Sequence, residues 1–218
     1  MEITWLGHSS FRIKGKNVVC VTDPFSPSMT GLKFPKVEAD LVTISHDHED
    51  HNQKDLVENV SYVISGPGEY EIKGASVFGF PTFHDNQKGA LRGKNTVYVI
   101  EIDKIRICHL GDLGHKLDED ILEDLDGVDI LMIPVGGGPT LGPAEAVSVI
   151  TQIEPKIILP MHYNEPGLNQ AVFGSLLPLE AFLKEAGDQG ERMPKLQVSA
   201  ENLTEEKQQF IILERKNA

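Results

Sequence analysis

Through the first half of the chain, apolar positions come in short runs broken by glycine- and serine-bearing turns, a pattern of strands and not of long helices. Residues 2–6, 11–14 and 18–23 read as three strands in quick succession. The connection Asp23-Pro24-Phe25-Ser26-Pro27 follows, and residues 41–45 form the next strand. Residues 53–59 read as a short helix, 62–65 and 75–83 as strands, and 96–102 with 105–110 as a hairpin turning at Asp103-Lys104. The second half changes rhythm. An acidic amphipathic helix is predicted over 117–125, and 128–135 is a continuous apolar strand of the kind buried on both faces. Gly136-Gly137-Gly138-Pro139 is a loop, and 144–153 is a helix with Pro143 near its start. Residues 156–161 form a strand ending at His162, 179–186 a helix, and 196–200 and 210–213 closing strands.

Antiparallel strands followed by strand–helix alternation imply a mixed sheet system with helices outside. No repeat, low-complexity run or linker interrupts it, so residues 1–218 are expected to form one domain. With 24% charged and 40% hydrophobic residues the composition is that of a globular protein, which excludes a disordered chain. The formal net charge of −13 argues against a nucleic-acid backbone as the main partner, because little positive charge replaces the condensed counterions. The first residues lack a basic region followed by an apolar run, and no stretch reaches membrane-spanning length; a soluble, cytoplasmic protein without membrane contact is expected. Cys20 and Cys108 sit inside apolar runs and read as buried free thiols.

Against this background the run His46-Asp47-His48-Glu49-Asp50-His51 stands out, directly after a strand. Neutral imidazole and ionised carboxylate are the ligands of zinc, manganese and iron. In an extended segment His46 and His48 would point the same way and grip one metal, while adjacent Asp50 and His51 would diverge toward a second. Three more ligand-type side chains end separate strands: His84, Asp112 and His162. The chemistry suggested is a two-metal site that ionises a water molecule.

Together, H-x-H-x-D-H, the strand-end histidines and Gly111-Asp112 resemble the metallo-β-lactamase superfamily, over nearly the whole chain. Gly7-His8-Ser9-Ser10-Phe11 and Thr22-Asp23-Pro24 are similar to its small single-domain branch of metal-dependent hydrolases, to which ascorbate-lactonase-like proteins are related. The resemblance implies an αββα four-layer sandwich of the α+β class, with two mixed β-sheets face to face, helices outside and the site at one edge. It implies His46, His48 and His84 on a first metal, Asp50, His51 and His162 on a second, and Asp112 bridging both. Two divalent ions are expected, zinc foremost, with manganese or iron as alternatives. Asp50 would be the catalytic carboxylate, steadying the nucleophile and shuttling its proton.

Other residues carry two readings each. Asp23 either initiates an Asp-Pro turn or orients a metal-bound histidine; His8 is either an isolated early histidine or projects into the site. Asp112 has a rival role as a helix N-cap. Strand parity turns His109 toward a core away from the metals, and His115 follows the Gly111–Gly114 turn. The loop 85–94, with Lys88, Arg92 and Lys94, reads as a mobile cover over the site, and the segment 163–175 as its opposite wall. The expected function is hydrolysis of an ester, lactone or amide of a small molecule. The rivals are a phosphodiesterase or nuclease of the same fold and a non-enzymatic, metal-stabilised sensor or interaction protein.

Overall fold

The computed structural model describes residues 1–203 and 208–216. In chain order the elements are β1 (Glu2–Gly7), β2 (Ser10–Lys14), β3 (Val19–Thr22), α1 (Pro27–Thr30), β4 (Val37–Glu38), β5 (Leu41–Thr43), β6 (Val57–Glu58) and β7 (Tyr62–Ile64). Then come β8 (Gly68–Ile72), β9 (Ala75–Phe83), β10 (Lys94–Ile102), β11 (Ile105–His109), α2 (Glu119–Asp124), β12 (Ile130–Pro134), α3 (Pro143–Ile153) and β13 (Ile157–Met161). The chain closes with α4 (Gln170–Phe173), α5 (Leu179–Ala186), β14 (Glu191–Met193), β15 (Leu196–Gln197) and β16 (Gln209–Leu213).

Two mixed sheets face one another. The first has the order β15-β1-β2-β3-β5-β7, the second β14-β16-β13-β12-β11-β10-β9-β8. The core between them takes Ile3, Trp5, Phe11 and Ile13 from the first sheet and Val97, Tyr98, Ile105 and Ile107 from the second. Tyr98 crosses the interface: its hydroxyl donates to the Ile44 carbonyl at 2.9 Å and accepts from Gly66 N–H at 2.7 Å. α3 and α5 pack together beside β12, and Ala146, Val149 and Phe182 join the main core. Over the first sheet the outer layer is thin. Leu6, Val21 and Val42 are covered there by Val37 and Val57 of a two-stranded β4–β6 ribbon.

The hairpin turns at Asp103-Lys104 as predicted, with φ of +54° and +65° at those residues, the left-handed pair that matches the twist of its strands. The helix expected over 53–59 is instead a single 3-10 turn, Lys54–Leu56, followed by β6. Val57 is β-branched and buried against the ribbon, and that packing overrides the weak local helix signal. The strand expected over 196–200 shrinks to β15 and a second 3-10 turn, Ala200–Asn202. The strand β8 was not anticipated: its Gly-Glu-Tyr-Glu-Ile sequence is mostly exposed at a sheet edge, so it carries little apolar alternation.

Candidate metal centre

Strand direction explains why the candidate residues meet. β1, β3 and β5 run the same way in the first sheet, and β9, β11 and β13 do so in the second. Their C-terminal ends lead, within three residues, to His8, Asp23, His46, His84, Asp112 and His162.

The run 46–51 is not extended. His51 N–H donates to the His48 carbonyl at 2.9 Å, closing a turn that folds the side chains onto one side. His46, His48 and His84 bring ligand atoms within 4.8 Å of one another, and Asp50, His51, His162 and His8 form a second such group. Asp50 and His51 converge rather than diverge, Oδ2 lying 3.6 Å from Nε2, because the turn replaces the alternation of a strand.

Asp112 sits between the two groups. Its Oδ2 lies 3.1 Å from His84 Nε2, 3.2 Å from His162 Nε2 and 3.9 Å from His46 Nε2, and its Oδ1 lies 3.3 Å from His51 Nε2. It is not a helix cap; Asp118 caps α2 by accepting from Ile121 N–H. Gly111 permits the approach. It holds φ of +57°, and a Cβ there would strike Asn95 Oδ1 and lie 2.6 Å from Ser45 Cβ. Asn95 in turn accepts the Asp112 N–H at 3.0 Å and donates to the Leu110 carbonyl at 2.9 Å.

On the inner side of the cluster His46 Nε2, His51 Nε2, Asp50 Oδ1 and Asp112 Oδ1 are buried without a directed hydrogen bond. Each such atom costs about 1–3 kcal/mol when nothing accepts its lone pair or proton. A nitrogen-and-oxygen donor set converging in this way fits divalent transition metals.

The electrostatics match. Burial pushes the His46 imidazole down to about 3, with His51 beside it acting the same way. Burial and His162 lower His8 to about 4 against the pull of Asp50. Burial opposes ionisation of Asp50 and Asp112, but His51 and His8 around the first, and His162 and His51 around the second, hold both carboxyls far below the usual range. His51 shifts the opposite way from His8 and His46: burial disfavours its charge, yet Asp112 and Asp50 raise it well above the ordinary histidine value.

Behind the donors, Asp23 governs ring orientation. It accepts from His51 Nδ1 at 2.8 Å, from Ser45 N–H at 2.8 Å and from the Ser45 hydroxyl at 2.5 Å. With its own proton committed to Asp23, Ser45 Oγ accepts from His46 Nδ1 at 2.9 Å. Both rings are thereby oriented with a proton on Nδ1 and with Nε2 turned inward.

His8 enters the site, its Nε2 3.1 Å from Asp50 Oδ2 and its ring 4.3 Å from that of His162. It holds a left-handed backbone, φ +51°, fixed by its N–H on Glu165 Oε1 at 3.1 Å and its carbonyl on Trp5 Nε1 at 3.0 Å. Glu165 pairs through its other oxygen with Arg215 at 2.9 Å. His109 and His115 do not reach the donors. His109 Nε2 donates to the Ser9 carbonyl at 2.8 Å while Nδ1 accepts from Gly111 N–H; His115 accepts from Phe83 N–H and donates to the Lys116 carbonyl.

A cavity of about 110 Å³ opens over the donors, walled by His48, Asp50, His84, Asp112 and His162 and, on the far side, by Val172, Phe173, Ser175 and Leu176. The loop after His84 is not a loose cover. The Asp85 carboxylate accepts from the N–H groups of Gln87, Gly89, Leu91 and Arg92 at 2.8–3.0 Å, and Gly93 N–H closes on the Gly89 carbonyl. Ser45, Asn95 and Glu165 were not singled out from the sequence. For Asn95 a signal existed, since Asn is depleted in strands; Ser45 and Glu165 gave none.

Residues 2–162 match the Beta-lactamase superfamily domain. A UPF0173 metal-dependent hydrolase of Thermococcus onnurineus is 31% identical over 194 residues, covering 75% of this chain and 85% of that one. A crystal structure from Thermotoga maritima, provisionally assigned as a zinc-dependent hydrolase of the metallo-β-lactamase superfamily, is 38% identical with a TM-score of 0.79 and covers 97% of both chains. A metallo hydrolase from Ignicoccus hospitalis shares the fold, with a TM-score of 0.63 at 21% identity over 85% of this chain and 90% of that one. Two facing mixed sheets, a buried cluster of imidazoles and carboxylates at the strand ends and these likenesses lead to one conclusion: the chain belongs to the metallo-β-lactamase superfamily and is a metal-dependent hydrolase.

Proposed function

We propose that this protein hydrolyses an ester, lactone or amide bond of a small molecule at a dinuclear centre. His46, His48 and His84 would hold one ion, Asp50, His51 and His162 the other, and Asp112 would bridge them. The observation that carries this reading is the Asp112 carboxylate facing four Nε2 atoms drawn from both groups. Divalent ions held by these residues would supply a water acidic enough to be a nucleophile near neutral pH and would polarise the scissile carbonyl. Zinc is the favoured ion, in keeping with the Thermotoga maritima relative.

The chain's own residues do the rest. His51 and His8 hold Asp50 ionised, and beside its role as a ligand it would orient the attacking water and pass a proton toward the leaving group. His8 steadies Asp50 Oδ2, and neutral His8 donates through Nε2. Asp23, directly and through Ser45, keeps the His51 and His46 rings from rotating. Phe173 and Leu176 exclude water from one side of the cavity.

Elemental analysis of protein purified without chelator, followed by turnover of aryl esters, lactones, a generic phosphodiester and single-stranded RNA, tests the reading. Two metal equivalents with ester or lactone hydrolysis support it. One equivalent or none under metal-replete conditions contradicts the dinuclear assignment, and turnover confined to the phosphodiester or RNA transfers the chemistry to phosphorus.

A further inference from the structure

The cavity over the donors is too small for a whole substrate. Small-molecule sites enclose roughly 300–1,000 Å³, whereas this one has about 110 Å³ for the reacting group, the ions and water together. A second cleft of about 800 Å³ adjoins it, and His48 and Arg92 line both. Whatever is attached to the scissile group has this cleft to occupy.

Its lining has a definite character. Ile44, Val63, Pro67 and Pro81 supply apolar surface, and Val63 is 41% exposed, unusual for a strand valine. Lys54, Arg92 and Lys94 bring three cations to the same cleft. Lys36, Lys73, Lys156, Arg192, Lys195 and Arg215 form ion pairs elsewhere. Asp47 is the carboxylate that lines the cleft, and it already accepts from Asn52 Nδ2 at 2.7 Å. Three cations without a carboxylate partner among the described residues, in a protein of net charge −13, make a local positive site in a negative field.

The main chain at Arg92 is anchored. Its N–H is held by Asp85 at 2.8 Å, and the Gly93 carbonyl accepts from His84 N–H at 3.1 Å, so the loop returns to the strand end that carries a donor. Lys94 opens β10 directly opposite Phe83, the residue before His84. The backbone that carries these two exposed side chains is thus already ordered, so binding need not first order the loop.

We infer that the cleft beside His46 and His48 selects substrates bearing an organic anion, a carboxylate or phosphate on an apolar body, with Arg92 and Lys94 seating the anion and Val63, Pro67 and Pro81 packing the body. This rests on the proposed hydrolysis of a small molecule and specifies its substrate class. Equilibrium binding tests it separately from turnover. Naphthalene-2-carboxylate and naphthalene-2-carboxamide are titrated into the metal-loaded protein, followed by NMR, at low and high salt. The carboxylate binds about tenfold more tightly at low salt, the preference shrinks at high salt, and the double variant Arg92→Gln/Lys94→Gln, with its thermal transition unchanged, loses it. Equal affinities, no binding of either probe, or a preference that survives in the double variant because the carboxylate sits on the metals would each overturn the inference. Failure of every ester and lactone to turn over would instead strike the hydrolytic reading and leave the binding result standing.

Discussion

Asp23 and His51 are joined by a 2.8 Å hydrogen bond at zero solvent exposure, and through Ser45 the same carboxylate fixes the ring of His46. One residue thus orients donors of both proposed ion sites. Asp23→Asn offers an amide where three donors converge, so at least one bond is lost. Metal affinity falls by about 10–100-fold, the range for a lost orienting partner, in competition with a chromophoric chelator. Unchanged affinity would show that the rings are held by other means.

Gly111→Ala forces a side chain into the left-handed region and onto Asn95 and Ser45, the supports of Asp112 and His46. Backbone strain of this kind costs about 1–3 kcal/mol, which lowers Tm by roughly 2–12 °C for a chain of this size. Calorimetry of the metal-loaded protein reads it, and an unshifted transition would refute the steric argument.

Glu165 ties three parts of the chain together: the His8 backbone, the segment after β13 and Arg215 near the C-terminal end. Glu165→Ala and Arg215→Ala should couple, with an interaction energy of about 0.5–3 kcal/mol in a double-mutant cycle from chemical denaturation. Strict additivity would mean that the ion pair does not support the His8 turn.

The two thiols should be silent in the native state. Burial pushes Cys20 up to about 12, and Cys108 is shifted upward for the same reason. A disulfide reagent at pH 8 should label neither until denaturant is added, since thiolate is the reacting form. The sign for stability follows: these pKa values are raised on folding, so the contribution is complete below the unfolded thiol value near 9 and is lost as pH rises toward 12. Prompt native labelling would place a thiol at the surface.

Much of this architecture was legible in the sequence because buried strands and helices announce themselves by period. The bounds predicted for 75–83 and 179–186 are those of β9 and α5. The histidine run was legible as chemistry for a different reason: so many imidazoles and carboxylates in six residues have no packing role. What was hidden lies where tertiary contacts decide. Val57 joined a ribbon instead of a helix, and the acceptor role of Asp85 depends on a loop that folds back on it. Asp23 shows the limit best. Asp-Pro marks a turn in any chain, and only the fold brings its carboxylate to His51 across 28 positions.

The strand ends that gather the donors belong to opposing sheets, β5 and its turn on one side and β9, β11 and β13 on the other. Ions held between them would rivet the sandwich along one rim, so that prising the sheets apart requires breaking coordination bonds as well as emptying the core. Occupancy and folding would then be linked, each favouring the other. Of the seven proposed ligands, a chain stopped before β9 would own only those of the run 46–51, so the full grip on metal would require the second sheet to be in place.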